Sequence, residues 1–226
     1  MQPEVTLFVG PSAWGLATQR WPTRTLDRRP PVLRGDVDAL VAARSPGVLV
    51  LCDGVFQSAP AVGHAEIGRA VEAGWQVWGV SSLGAIRAYE MRHHGVRGFG
   101  WVYAQFARYT DFRDDELCLL HLPDPPYLPL TEALVNLRYA LEQRGATCGI
   151  TPGAASAVVR VLRGLWFGDR TPERISTVLR ESAGIDAAAA RRLLHWMDRH
   201  RIKAIDLDTL MRAQPWLATA PSQSGR

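Results

Sequence analysis

Three short apolar runs mark the first third of the chain: Val5 to Val9, Val48 to Cys52 and Val77 to Val80. The middle run is apolar throughout, the pattern of a strand covered on both faces. All three stop at turns, Gly10-Pro11-Ser12, Asp53-Gly54-Val55-Phe56 and Ser81-Ser82. Helical spacing fills the intervals. Asp36 caps a helix through Val37, Leu40 and Val41, and Pro60 opens one carrying Val62, Ile67, Ala70 and Val71, with Gly74 as its stop. Leu83, Ile86, Ala88 and Met91 follow the serines at the same spacing. Alternating strands and helices predict right-handed crossovers and a small parallel sheet with flanking helices. The three turns then share the carboxyl edge of that sheet, where open α/β sheets place ligands.

The rest of the chain is less regular before it becomes wholly helical. Residues 13–35 read as loop; His93 to Tyr103 is a glycine-aromatic segment whose adjacent histidines read as solvent-exposed loop residues. Asp111, Asp114, Asp115 and Glu116 read as a solvated turn ahead of an edge strand, Leu117 to Leu120. Pro123, Pro125, Pro126 and Pro129 mark a rigid linker, after which Thr131 caps a helix bearing Leu134, Leu137 and Leu141. Thr151-Pro152, Thr171-Pro172 and Asp186 are helix starts, the first two with proline at the first helical position. The apolar stripes behind them are expected to pack on the first domain, and a short helix is expected after Asp206. The fold class is α/β: a small parallel sheet with flanking helices, followed by a C-terminal all-helical region. The expected domains are residues 1–148 and residues 149–226, the latter ending in a disordered tail from Ala218.

Composition narrows the function classes. The chain has 226 residues, 47% of them hydrophobic, and no apolar run long enough to span a bilayer. Cys52, Cys118 and Cys148 are too few and too scattered for a zinc site or a disulfide framework. Adjacent His93 and His94 lack further ligands at metal spacing, so no metal and no cofactor is expected. A magnesium site at the acidic cluster is the weaker reading there. The start of the chain lacks the basic region of a secretory signal, and a reduced, cytoplasmic protein is the expectation. Residues 151–226 hold the excess positive charge, a net of +5, but dispersed rather than in a patch. Neither nucleic acid nor a membrane is therefore expected as a partner. Of 26 basic residues only Lys203 is a lysine.

The strand-to-helix junction at Ser81-Ser82 leaves two readings open. A serine there can cap the helix by accepting a backbone N–H. It can equally act as a nucleophile beside unpaired N–H groups that would hold an oxyanion. The G-x-S-x-G elbow is missing, because its leading position relative to Ser82 is Val80. The glycine motifs of nucleotide-binding loops are absent from Gly10-Pro11-Ser12 as well.

Six short pieces then occur in one order: Val9-Gly10-Pro11-Ser12; Pro30-Pro31 with Arg34-Gly35-Asp36; Asp53-Gly54-Val55-Phe56; His64 with Glu66-Ile67; Ser81 through Glu90, including Arg87; and Glu132 through Asn136. Over roughly residues 5–140 the chain resembles TfuA-like proteins. That resemblance implies an accessory protein to a YcaO enzyme in peptide backbone thioamidation. It would recruit a thiocarboxylated, ThiS-like sulfur carrier and hydrolyse the thiocarboxylate to deliver sulfide. The ribosomal precursor peptide would be engaged indirectly, through tighter binding by YcaO. The resemblance further implies a serine–lysine hydrolase site, with Ser82 as nucleophile and Ser81 as second choice. Glu66 would belong to the catalytic set, and Gly10, Pro11, Ser12, Arg34, Asp36, Asp53, Gly54, Phe56, Arg87 and Glu90 would bind or shape the site. Many relatives carry His-Lys-Glu-Ile where this chain has His64-Ala65-Glu66-Ile67. Three alternatives follow: Lys203 folds back into the site, His64 serves as base, or hydrolysis is impaired. The last makes the chain a non-catalytic adaptor for YcaO, carrier and peptide.

Overall fold

In a computed structural model that describes residues 3–22, 25–55 and 59–218, the three expected strands are β1 (Val5–Phe8), β3 (Val48–Leu51) and β4 (Gln76–Val80). They are joined by two that the sequence did not announce. Leu26–Arg29 (β2) lies in the segment read as loop, and Arg97–Phe99 (β5) in the glycine-aromatic segment. Both are sheet edges, where a strand needs only one hydrogen-bonded neighbour and half-exposed polar residues are tolerated. The sheet is fully parallel, ordered β2-β1-β3-β4-β5. In a doubly wound sheet of this order, the crevice opens between the carboxyl ends of β1 and β3.

The first helices are α1 (Asp36–Ala43), α2 (His64–Glu72), α3 (Leu83–Glu90) and α4 (Gly100–Arg108). Strand side chains alternate between two cores. Phe8, Leu49, Leu51 and Val77 meet α1–α4, whereas Leu7, Val50, Trp78 and Val80 face the other way. That second face is covered by α9 (Ile202–Ala213) through Leu207, Leu210 and Met211, with Trp216 behind it. Between them run α5 (Leu134–Arg144), α6 (Pro152–Arg163), α7 (Pro172–Ala183) and α8 (Ala187–Arg199). Their stripes bury a third core of their own, in which Leu134, Leu137 and Leu141 of α5 meet Leu162, Leu179 and Leu193. The stripes behind Thr151, Thr171 and Asp186 thus pack on α5, within residues 1–148 as expected, and on one another rather than on the sheet; of these later helices only α9 returns to it.

Thr151, Thr171 and Asp186 each accept a backbone N–H three residues on, as expected of caps. Other helix starts differ from expectation. Gly35, at φ 91°, is the cap position of α1, and Asp36 instead accepts the Leu33 N–H at 2.8 Å. The second helix begins at His64 rather than Pro60, because Glu66 reaches back to the Gly63 N–H at 2.8 Å and closes the turn there. Thr131 accepts the Leu120 N–H at 2.8 Å, and α5 starts only at Leu134. The acidic cluster is solvated only in part: Asp111 and Asp114 are exposed, but Asp111 pairs with Arg163, Asp115 with Arg170 at 2.5 Å, and the fully buried Glu116 with Arg138. Those pairs hold residues 114–117 in a short 3-10 turn, and Leu117 to Leu120 form no strand.

Asp206 lies inside α9 rather than before it. Its carboxylate accepts the Trp101 and Val102 N–H groups at 2.9 and 2.8 Å, so a residue of α9 caps the start of α4. Only glycine fits at position 100, at φ 95°, because a Cβ there would lie 2.3 Å from the Asp206 Cγ. Burial pushes the Asp206 carboxyl up to about 7, with the two N–H groups opposing it. The folded state therefore binds this proton more tightly than the unfolded chain. Stability from this group is full below about pH 4 and is lost as pH rises toward 7, by a few kcal/mol. Asp206→Asn cannot ionise, so its stability relative to the parent should improve between pH 5 and pH 8. Urea unfolding of both proteins at the two pH values checks it.

Candidate functional site

The sequence Val80-Ser81-Ser82-Leu83 turns from β4 into α3 through a tight bend. Ser81 adopts φ 64°, and the Ser82 N–H donates to the Val80 C=O at 2.7 Å, closing a γ-turn of the strained kind. Two glycines permit the bend. A Cβ on Gly79 would lie 2.0 Å from the Gly84 C=O oxygen, and one on Gly84 would lie 1.7 Å from that of Leu51. This pair does the steric work that the missing elbow motif would do.

Ser82 stands at the cap position of α3, yet its side chain makes no capping bond. The cap reading of this hydroxyl is therefore corrected. Ser82 lines a cleft of about 530 Å³ together with Asp53, Gly54, Cys118 and Lys203. Ser81 is fully buried beneath it, and its hydroxyl donates to the Lys203 C=O at 2.6 Å. Among the described residues, the N–H groups of Leu83 and Gly54 find no acceptor. They come from the residue after Ser82 and from the turn after β3, the two places that supply an oxyanion hole in a strand-turn-helix hydrolase.

Lys203 reaches the cleft from the first turn of α9. Its Nζ donates to the Leu117 C=O at 2.8 Å, and its side chain is buried. The backbone around it is held on two sides: by Ser81, and by Asn136, whose Oδ1 accepts the Lys203 N–H at 3.2 Å. Asn136 is itself fixed by Glu132 at 2.7 Å, and the other Glu132 oxygen accepts from Arg201 Nε at 2.9 Å. The Glu132-to-Asn136 piece thus holds the α9 turn that bears the lysine.

Asp53 secures the floor. Its carboxylate accepts the Gly10 and Ser12 N–H groups at 2.8 and 3.0 Å and the Ser12 hydroxyl at 2.7 Å, clasping the β1 turn to the β3 turn. Pro11 lines the cleft beside it. Burial holds the Cys52 thiol well above its ordinary range and pushes Cys118 up to about 11. Neither cysteine is a thiolate competitor to Ser82 near neutral pH.

Other expected site residues lie elsewhere. His64 is half exposed, with Nε2 2.7 Å from Glu90, which also accepts from Arg87 at 2.7 Å. His64 and Glu90 line a separate groove between α2 and α3. Glu66 is buried between two helix starts, accepting the Gly63 and Gly35 N–H groups at 2.8 and 2.9 Å. Arg34 is exposed, its Nε 3.4 Å from the Ala61 C=O, and Asp36 stays local to its own turn. Phe56 lies outside the described residues, as does the expected disordered tail beyond Ala218. The outer wall, Leu117 to His121 with Tyr127, Trp166 and Phe167, was not foreseen. Its signal was available in the density of apolar residues within a proline-rich stretch.

Among the described residues, no group of three or more His, Cys, Asp or Glu could hold a metal ion, and no helix is long and apolar enough to cross a membrane. No curated protein matched the chain in a sequence comparison. A model of the TfuA-like protein family matches residues 53–171, just over half of the chain. That span runs from the Asp53 clasp through Ser82 and the cleft's outer wall, and stops before Lys203. The chain belongs to the TfuA-like protein family.

Proposed function

We propose that this chain is a YcaO-associated accessory protein of peptide backbone thioamidation, and that it hydrolyses a thiocarboxylated, ThiS-like sulfur carrier to deliver sulfide. The observation that carries the reading is that the Ser82 hydroxyl, free of any capping bond, shares a cleft with the only lysine in the chain. Ser82 Oγ attacks the thiocarboxylate carbon, and its proton passes through Lys203 Nζ to the sulfur. Collapse of the tetrahedral intermediate breaks the C–S bond, releases sulfide and leaves an acyl-serine, which water hydrolyses to carboxylate and free Ser82. The Leu83 and Gly54 N–H groups would hold the oxyanion.

His64 stands with Glu90 on another groove, which favours Lys203 over His64 as the base. Lys203→Met should lower the hydrolysis rate by about 10²- to 10⁴-fold, whereas His64→Ala should leave it near the parent rate. The assay mixes purified protein with thiocarboxylated carrier and follows the sulfur-for-oxygen mass change on the carrier. The opposite ranking would overturn the assignment of the base. A carrier that keeps its sulfur with the parent protein would overturn hydrolysis and leave an adaptor role.

A further inference from the structure

The outer wall of the cleft carries an extended segment whose outer main-chain edge is unused. Leu120 and Leu122 pair with the neighbouring segment: the Leu130 N–H donates to the Leu120 C=O at 2.7 Å, and the Leu122 N–H donates to the Leu128 C=O at 2.9 Å. His121 lies opposite Pro129 in an antiparallel bridge. Proline has no N–H, so this is the non-hydrogen-bonded position of the ladder. The main-chain groups of His121 therefore point away from residues 128–130, and by the same alternation so do those of Leu119. Among the described residues, no main-chain or side-chain group meets the N–H or C=O of either one. Both residues line the cleft that holds Ser82.

The charge of that cleft narrows what could use the edge. Both Asp53 oxygens are taken by the β1 turn. Among the described residues, the only charged side chain on the lining besides Asp53 and His121 is Lys203. The facing walls are apolar, with Pro30, Pro31, Leu33 and Trp166. A highly charged small molecule has no partners here. An extended, uncharged polypeptide ending in one anionic group has a main-chain edge to pair with and a single ammonium at its end.

We propose that the Leu119–His121 edge binds the C-terminal segment of a polypeptide as an added strand and delivers its terminal anionic group to Lys203 and Ser82. Main-chain pairing of this kind gives affinity with little demand on side chains. The proposal rests on the hydrolase reading for its chemistry, but its test needs no sulfur and no turnover.

The probe is a fluorescein-labelled hexapeptide of small apolar residues with an ordinary C-terminal carboxylate, titrated with the full chain by fluorescence anisotropy. Singly N-methylated versions scan the backbone, and an amidated version removes the terminal charge. N-methylation should weaken binding roughly tenfold or more at alternate positions and little at those between, and amidation should also cost roughly tenfold. Leu119→Pro, checked for an unchanged melting temperature, should match the worst N-methyl peptide. No saturable binding, or a scan without alternation, overturns the proposal, as does equal affinity for the amidated peptide. The two readings fail separately. A flat scan beside an inactive Ser82→Ala removes the edge alone, and an alternating scan beside an active Ser82→Ala removes the hydrolase alone.

Discussion

Ser82→Ala should stop sulfide release from thiocarboxylated carrier, by about 10³-fold or more, while leaving the protein as stable as before. The two halves of this outcome have separate grounds. Loss of activity follows because, among the described residues, no other serine or threonine lines the cleft. Ser81 is sealed below with its proton on the Lys203 C=O, and burial keeps the Cys118 thiol protonated. Unchanged stability follows because the Ser82 hydroxyl has no capping bond to lose. Removal of an uncommitted oxygen should stay within about 0.5 kcal/mol. The control is a serine-like cap that is in use. Thr151→Ala removes an oxygen that accepts the Ala154 N–H at 3.2 Å, and should cost about 1 kcal/mol. Carrier mass spectrometry reads the first effect and thermal unfolding of the three proteins reads the second. A Ser82→Ala protein that melts like Thr151→Ala and still releases sulfide would return the serine to the role of a helix cap.

What the chain announces, and what it hides, follows from how local each signal is. The central strands are apolar on both faces because two cores enclose them, and that leaves a run visible in one dimension. Edge strands β2 and β5 carry Asp27, Arg28, Arg29 and Arg97. Their strand character comes from one neighbour far away in sequence, so no local pattern marks them. Thr151, Thr171 and Asp186 were legible as caps because the cap and the N–H that donates to it sit within one turn. Glu132 and Asn136 were visible as a motif without a reason. Their reason is the α9 turn that bears Lys203, 67 residues beyond Asn136, and sequence periodicity has no access to that distance. The same holds for Lys203 itself. A lone lysine in a basic helical region looks like a surface charge until α9 folds back over the sheet.

Gly84→Ala should be the most damaging single methyl in the chain. The added Cβ would stand 1.7 Å from the Leu51 C=O oxygen and 2.4 Å from its carbon, and both are main-chain atoms of a central strand. No side-chain rotation relieves that contact, so α3 must move off the sheet. Its movement would break the Gly84 N–H bond to the Cys52 C=O at 3.1 Å and unseat Leu83, Ala85, Ile86 and Ala88, all buried in the main core. Overpacking against rigid backbone belongs to the largest class of point-mutant effects, above about 4 kcal/mol. For a chain of this size that corresponds to a fall of roughly 10 °C or more in melting temperature. Gly68→Ala is the matched comparison. It sits within α2, where a Cβ meets only the Met91 Cε at 4.0 Å, and should stabilise by about 0.5–1 kcal/mol through lost freedom of the unfolded chain. The contrast also bears on the site, since Gly84 sets how closely the Ser82 turn approaches the β3 turn that carries Asp53 and Gly54. Any Gly84→Ala protein that does fold should therefore lose sulfide release more steeply than its lowered melting temperature accounts for, measured well below that melting temperature. Full activity in the folded fraction would mean that the close approach of α3 to β3 serves the core alone.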